Sequence, residues 1–385
     1  MEHVYAVLGA GMQGTAAAFD LARHGEAREV RILDREEGLA AAAAARVNRL
    51  VGREVALPGV VDAASPEDVA RMLEGAGGVL SAVPYGLNLG VARAALEAGA
   101  CMCDLGGNTD VVREILRLDA RARERGVSLL PDCGLAPGLG NQLAALGLEL
   151  LPQARHVHIR CGGLPRRPRP PLDYMLVFSI GGLTNEYTGF GEFLREGRKV
   201  RVPAFTEVEE ISFQGLPGRL EAFVTSGGTS TCAETFAGRL TTFDYKTVRY
   251  PGHFEKFRVL IDLGLLDLEP VDLGGTKVVP RDLFHACAAP RLTFPGEEDL
   301  VLLRVDVLEE DRSSGLRFEL TAGRDATTGF SAMECCTAFP AAATLHFQVR
   351  GEAEPGARGP ERGVPPQRLL EAVRKRGLAV RRETI

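Results

Sequence analysis

The stretch His3-Val4-Tyr5-Ala6-Val7-Leu8-Gly9-Ala10-Gly11-Met12-Gln13-Gly14, with Val30-Arg31-Ile32-Leu33-Asp34 after it, decides the fold. Its apolar start reads as a buried strand. Gly9, Gly11 and Gly14 then stand in the spacing GxGxxG, and Met12 to Arg23 continues as an alanine-rich helix. Val30 to Leu33 reads as a second buried strand ending on Asp34, twenty residues past Gly14. Strand, glycine turn, helix and spaced acid together make a dinucleotide-binding unit. Gly9 permits the tight turn, Gly11 lets the backbone approach a pyrophosphate, and Gly14 allows close helix–strand packing. The helix N-terminus offers free N–H groups and a positive dipole end to the phosphates. Asp34 is placed to accept from the ribose hydroxyls, and its charge repels a 2′-phosphate, which favours NAD. Arg35 could receive that phosphate, so NADP is the alternative.

Outward from this unit, strands and helices alternate to about residue 145. A helix over 38–51 and a strand over 55–62 come next. Ser65-Pro66 opens a helix, with Ser as the cap and Pro at the first helical position. Gly78 to Val83 is a strand, Asn88 to Ala98 a helix and Cys101 to Leu105 a strand. Thr109 to Arg125 reads as one polar-faced helix, and Val127 to Pro131 as the sixth strand. This order predicts an α/β fold with a Rossmann-type, doubly wound parallel sheet. Ligands in such sheets lie outside the carboxyl ends of the strands. Cofactor contacts are therefore expected from Gly9, Gly11, Met12, Gln13, Gly14, Asp34 and Arg35, and from Val83, Pro84, Tyr85, Asn88, Gly106, Gly107 and Cys133. Pro137-Gly138-Leu139-Gly140-Asn141 opens a further helix beside the same cleft.

The composition sets bounds on function. The 385 residues suggest two domains. The net charge of −6 argues against general nucleic-acid binding. No uncharged apolar stretch reaches about eighteen residues, so no membrane span is expected. No secretory signal is expected either. The eight cysteines form no CxxC, and Cys101/Cys103 and Cys335/Cys336 are too close together for a zinc knuckle. Reduced thiols in a cytoplasmic protein without a metal are the simpler reading.

From about residue 150 the pattern becomes α+β, with a mixed or antiparallel sheet. His156 to Arg160, Lys199 to Val202, Glu207 to Phe213 and Leu220 to Val224 read as strands. Leu176 to Ile180 reads as a buried strand or short helix, and Pro165 to Pro171 as a solvated loop. Ser226 to Thr231 is a loop rich in hydroxyls, and Lys246 to His253 the densest cluster of cationic and hydrogen-bonding groups. Val301 to Glu309 and Leu316 to Thr321 form a hairpin. Ser331 to Ala343 reads as a helix interrupted near Pro340, Glu354 to Pro366 as a linker, and Leu378 to Arg381 as a closing strand. The expected division is 1–145 for the nucleotide, with about 328–385 packing back on it, and 146–327 for substrate and oligomerisation.

These blocks resemble the saccharopine dehydrogenase-like family, and within it the lysine 6-dehydrogenases. The resemblance runs over nearly the whole chain. It rests on the glycine turn, on Asp132-Cys133-Gly134-Leu135-Ala136-Pro137-Gly138, and on Ser179-Ile180-Gly181-Gly182-Leu183-Thr184-Asn185-Glu186-Tyr187. It continues in Leu220 to Thr231, in Lys246-Thr247-Val248-Arg249-Tyr250-Pro251-Gly252-His253 and in Phe339-Pro340-Ala341-Ala342. It implies NAD-dependent oxidative deamination of the side-chain amine of L-lysine to the 6-semialdehyde, which cyclises to a piperideine carboxylate. It also suggests a homodimer at least.

Such chemistry needs a base for the ammonium proton. His253 is the candidate, because its unperturbed pKa of about 6.5 suits proton transfer near neutral pH. Asp104, at a strand end, is the alternative base or ammonium partner. Arg249 can hold a carboxylate bidentately. Glu186 or Asp173 could take an α-ammonium, with Tyr174 or Tyr187 orienting it. Asn108, Ser226, Thr229 and Ser230 complete the expected substrate contacts. Two other readings stand beside this one. One is a reductive condensation of an amine with a carbonyl acid, as in saccharopine reductase or carboxynorspermidine dehydrogenase, with Arg166, Arg167 and Arg169 holding the larger adduct. The other is a non-catalytic nucleotide sensor.

Overall fold

The computed structural model describes residues 2–216 and 218–385. The first half runs β1 (His3–Leu8), α1 (Met12–His24), β2 (Ala27–Asp34), α2 (Glu37–Val51), β3 (Ala56–Val60), α3 (Pro66–Met72), β4 (Gly78–Ser81), α4 (Asn88–Ala98), β5 (Cys101–Asp104), α5 (Thr109–Leu116), α6 (Asp119–Arg125), β6 (Ser128–Leu130) and α7 (Leu139–Leu150). The second half runs β7 (His156–Pro165), α8 (Ile180–Glu186), β8 (Phe190–Arg195), β9 (Arg198–Pro203), β10 (Glu209–Ile211), β11 (Leu220–Val224), α9 (Cys232–Thr235), β12 (Thr242–Arg249), α10 (His253–Asp262), β13 (Val271–Leu273), β14 (Thr276–Val278) and α11 (Pro280–Ala288). The chain closes with β15 (Asp299–Leu308), β16 (Gly315–Gly323), α12 (Ala332–Val349), β17 (Gly356–Ala357), α13 (Pro366–Lys375) and β18 (Arg381–Thr384).

The first sheet has seven parallel strands in the order β17-β6-β5-β4-β1-β2-β3. The register sets Leu8 beside Leu33 and Ser81, and Ser81 beside Asp104. The strand ends therefore line up, and Gly9, Ala82 and Leu105 emerge along one edge. The nearly uninterrupted apolar runs are those of a sheet covered on both faces. The second sheet has nine strands. β10-β11-β12-β7-β15-β16-β18 form its path, with β8 pairing β12 and β9 pairing β8. Only β12 and β7 among these pairs run parallel, so the sheet is mixed.

One helix joins the two sheets. α12 packs on α1, β4 and β5 on one side and on β15 on the other. Its interior residues, Ala338, Ala341, Ala342 and Leu345, are fully buried in a core that also holds Val7, Leu303 and Val305. Its start is fixed twice. Ser331 and Glu334 form a capping box, and both carboxylate oxygens of Asp299 accept from Ala332 and Met333 N–H at 2.7 Å. The chain after it serves both sheets, through β17 in the first and β18 in the second.

Several local expectations are corrected. The helix expected over 109–125 is two helices, because Leu118 leaves helical geometry between them. α12 is not interrupted at Pro340 but runs on to Val349. Burial on both sides outweighs the cost of about 3 kcal/mol for an interior proline. Residues 176–179 are irregular, and helix α8 starts at Ile180 where Ser179 Oγ accepts from Gly182 N–H at 3.1 Å. The linker over 354–366 contains β17 and a turn of 3-10 helix at Pro360–Arg362. The closing strand lies at Arg381–Thr384, later than expected, because Arg374 donates to the Val380 carbonyl and holds 378–380 in a turn.

Candidate active site

The carboxyl edge of the first sheet meets the second domain in a cleft of about 650 Å³. Gly11, Met12 and Gln13 form its nucleotide end. Ala82 to Tyr85, Leu105 to Gly107 and Leu135 to Pro137 form one wall, and Cys161 to Gly163, Gly181, Gly182, Asn185, Glu186, Ser226 to Gly228, Tyr245, Thr247 and Arg249 the other. Met333 and Thr337 of α12 close the floor. Asn185 ties the walls together, its Nδ2 donating to the Gly107 carbonyl at 3.0 Å.

The nucleotide end has the shape its sequence predicts. Gly9 takes φ +95°, and a Cβ there would meet the Ala82 carbonyl oxygen at 2.7 Å. A Cβ on Gly14 would sit 1.8 Å from the Gly9 oxygen, so helix and turn touch backbone to backbone. Gly11 has open space instead, with nothing within 4 Å of a Cβ. It caps α1 without any side-chain bond, leaving the first N–H groups free. Asp34 braces the turn, accepting from Ala10 N–H at 2.7 Å and from Glu36 N–H at 3.0 Å. These residues fit a pyrophosphate and a ribose. Arg35 lies exposed beside Asp34.

Other expected contacts do not reach the cleft. Asn88 is buried and bonds Ser81 Oγ at 2.8 Å. Asp104 is buried too, accepting from Gly106 and Asp132 N–H at 2.8 and 2.9 Å. It shapes the Leu105–Gly107 turn rather than facing a substrate. Burial pushes its carboxyl up to about 6, against the pull of those two N–H groups. Asn108 caps α5 through Asp110 and Val111 N–H. Cys133 Sγ donates inward to the Leu130 carbonyl at 3.2 Å, and burial holds its thiol well above the usual range. Thr229 and Ser230 are buried behind Ser226–Gly228, where Asn141 bonds the Thr229 carbonyl. Asp173 pairs with Lys256.

The charged centre is built around Arg249, the last residue of β12, 2% exposed. Its Nε donates to Tyr187 Oη at 2.8 Å and its Nη1 to the Val248 carbonyl at 2.9 Å. Its guanidinium also lies over the Tyr174 ring, 4.8 Å from the centroid. Burial opposes its charge, but Tyr187, Tyr174 and Glu186 around it more than restore it. Its Nη2 is 3.7 Å from Glu186 Oε2. Tyr187 Oη in turn lies 2.9 Å from His253 Nε2, and His253 Nδ1 lies 2.8 Å from the Leu172 carbonyl. A carbonyl only accepts, so Nδ1 carries the proton and Nε2 accepts from Tyr187. His253 is therefore corrected as the base. It is fully buried behind Tyr187 with both nitrogens engaged, and burial, with Arg249 nearby, lowers its pKa to about 3.

Glu186 differs from its neighbours. It ends α8 on the cleft wall, with 30% of its side chain exposed. Burial of its surroundings raises its carboxyl to about 7, against the opposing pull of Arg249. The sequence reading missed Cys161 to Gly163, Tyr245 and Thr247. The end of β7 carried no motif and Thr247 lay inside the Lys246–His253 block without a role of its own, and the parallel pairing of β7 with β12 brings both strand ends to the cleft.

Two family models cover almost the whole chain. Residues 5–130 match the saccharopine dehydrogenase NADP binding domain, and residues 134–378 the saccharopine dehydrogenase C-terminal domain. The chain belongs to the saccharopine dehydrogenase family. It is an NAD(P)-dependent oxidoreductase acting on amines or amino acids. Among solved structures, apo saccharopine dehydrogenase (L-Glu forming) from Saccharomyces cerevisiae is similar over 100% of both chains, with 17% identity and a TM-score of 0.76. UDP-N-acetylglucosamine 3-dehydrogenase from Acidithiobacillus ferrooxidans matches 97% of this chain and 96% of its own, at 12% identity and a TM-score of 0.37. GenD2 from gentamicin A biosynthesis, in complex with NAD, matches 100% of this chain and 96% of its own, at 14% identity and a TM-score of 0.42. The glycine edge lies in the part matched to the NADP binding domain, and the Arg249–Glu186 wall, in the part matched to the C-terminal domain, faces it across the cleft. No helix among the described residues is long and apolar enough to cross a membrane.

Proposed function

We propose that this family member oxidises the side-chain amine of L-lysine with NAD, giving the 6-semialdehyde and ammonia. One observation carries the reading: among the described residues, the cleft wall has a single cation, Arg249, and a single carboxylate, Glu186. That charge set meets the single carboxylate of lysine and one of its two ammonium groups, the one on the side chain. A saccharopine-type adduct carries three carboxylates and would leave two of them facing apolar wall, at a high cost in lost hydration. Arg166, Arg167 and Arg169, considered for that adduct, do not line the cleft. Arg166 pairs with Glu298 at 3.0 Å and Arg169 with Glu297.

Bound nicotinamide nucleotide supplies the hydride acceptor. The chain's own part is binding and orientation. Arg249 takes the substrate carboxylate with its free Nη2 edge, while Tyr187 and the Val248 carbonyl hold the rest of the guanidinium still. Glu186 offers the ammonium its anionic counterpart. Gly181, where a Cβ would meet nothing within 4 Å, leaves room for an aliphatic chain, with Leu135, Phe178 and Met333 as apolar lining around it. Asp34 favours NAD over NADP.

The test is direct. Purified protein is incubated with L-lysine and NAD at alkaline pH, and NADH formation is followed. NADH with lysine, and none with saccharopine, is expected. Consumption of NADPH with an amine plus a carbonyl acid, and no reaction with lysine, would replace this reading by reductive condensation.

A further inference from the structure

We infer that Glu186 is the catalytic acid–base residue, taking the proton from the reacting ammonium of the substrate. The inference rests on the amine oxidation proposed above and names the group that sequence reasoning sought in His253.

An ammonium nitrogen has no lone pair, so the adjacent carbon cannot release a hydride until a proton leaves. In the step assigned to Glu186, an N–H bond of the ammonium breaks and an O–H bond forms on the carboxylate. The electron pair of the broken bond stays on nitrogen. That pair then forms the C=N bond as the hydride leaves with both electrons of its C–H bond for the oxidised nucleotide. Water adds to the iminium carbon, one of its protons passes to the nitrogen and the other to solvent as the C=O bond forms and the C–N bond breaks, ammonia departs, and Glu186 returns its own proton to solvent.

Position supports the assignment. Glu186 is the sole carboxylate on the cleft wall among the described residues. Its chain neighbour Asn185 is bonded to Gly107, so the end of α8 reaches across to the wall formed at the carboxyl edge of the first sheet. The 3.7 Å approach to Arg249 Nη2 is too long for a hydrogen bond, so the carboxylate oxygens remain open to a substrate.

The surroundings leave no rival. The titratable and charged groups facing Glu186 are Cys161 on β7, Tyr174 in the loop before α8, Tyr187 beside it, and Tyr245 and Arg249 on β12. Burial pushes Cys161 and Tyr174 up to about 12, and raises Tyr187 and Tyr245 as well. Arg249 stays charged. His253, one residue further back, is held neutral. Glu186, at about 7, is the one group of this set poised for proton transfer near neutral pH.

The experiment combines kinetics with a measurement on the ligand-free protein. Glu186→Gln keeps the shape and removes the base, and Glu186→Asp keeps a carboxylate. The expected loss in kcat/KM for lysine is about a hundredfold or more in Glu186→Gln, with partial rescue in Glu186→Asp. The acid limb of the wild-type pH profile disappears in Glu186→Gln. NAD affinity and thermal stability stay near wild type. In the ligand-free protein, infrared difference spectra show a carboxyl band titrating near neutral pH that is missing in Glu186→Gln. Retained activity with an unchanged acid limb in Glu186→Gln overturns the inference while lysine oxidation by the wild type stands. If the wild type does not oxidise lysine, the functional reading fails. The infrared titration then decides by itself, and absence of the band overturns the inference.

Discussion

Arg249 donates through Nε to the hydroxyl of Tyr187 at 2.8 Å, and this bond has only one direction. A guanidinium cannot accept. The Tyr187 hydroxyl hydrogen is therefore free for His253 Nε2, 2.9 Å away, and His253 passes its own N–H to the Leu172 carbonyl. The chain orients Arg249 from behind. Tyr187→Phe removes the acceptor and leaves a buried N–H unpaired, at a cost of about 1–3 kcal/mol. In the proposed reading Arg249 holds the carboxylate, so KM for lysine is expected to rise about tenfold or more with a smaller change in kcat. Cadaverine, the same diamine without a carboxylate, is expected to react as it does with wild type. Steady-state kinetics with the two amines checks this, and an equal loss for both would refute the role of Arg249.

His253 gives a stability prediction. Its folded pKa of about 3 lies below the unfolded value of about 6.5, so between them the unfolded chain binds the extra proton. Its contribution to stability is complete above the unfolded pKa and is lost as pH falls toward the folded one, at up to about 1.4 kcal/mol per pH unit. The gap in stability between wild type and His253→Asn is therefore expected to shrink as pH falls from about 6.5 to about 4. Urea unfolding of both proteins across that range measures it. A constant gap would mean that His253 is not buried in neutral form.

The glycine turn separates folding from binding. Gly14→Ala puts a methyl into the Gly9 carbonyl and is expected to lower both thermal stability and nucleotide affinity. At Gly11 a methyl meets only open space, so Gly11→Ala is expected to melt like wild type and still lose nucleotide affinity if the pyrophosphate takes that space, as the glycine spacing predicts. Calorimetric titration with NAD beside thermal melts distinguishes the two. Undiminished affinity in Gly11→Ala would place the phosphates elsewhere.

Asp34 governs the choice of nucleotide in the proposed reading. Asp34→Ser removes the charge facing a 2′-phosphate, and Arg35 remains beside it. The ratio of kcat/KM for NADP to that for NAD is expected to rise about tenfold or more. Affinity for NAD itself falls, because Ala10 N–H loses its charged acceptor. An unchanged ratio would show that another group decides.

Much of the first domain was legible because its signals are local. The strand ending at Leu8, the GxGxxG turn and Asp34 lie within one βαβ unit, and Ser65-Pro66 caps its helix as read. The hairpin of β15 and β16 was legible too, since alternation and a polar turn suffice for an antiparallel pair. Pro340 misled, because a proline's local cost says nothing of the two sheets that pack on α12. At the site, Glu186, Tyr187 and Arg249 were picked out by residue type, but their order of action was not.

Consecutive residues alone carried a dinucleotide edge, a second mixed-sheet domain and the family of the chain, because strand period, glycine spacing and short motifs are local features of the chain. Tertiary structure alone decided which candidates share the cleft. It sank His253, Asp104 and Cys133 into the protein and left Glu186 open beside Arg249. Burial and hydrogen-bond direction set the protonation of a side chain, and both depend on residues distant in the chain, such as Leu172 and Tyr187 around His253.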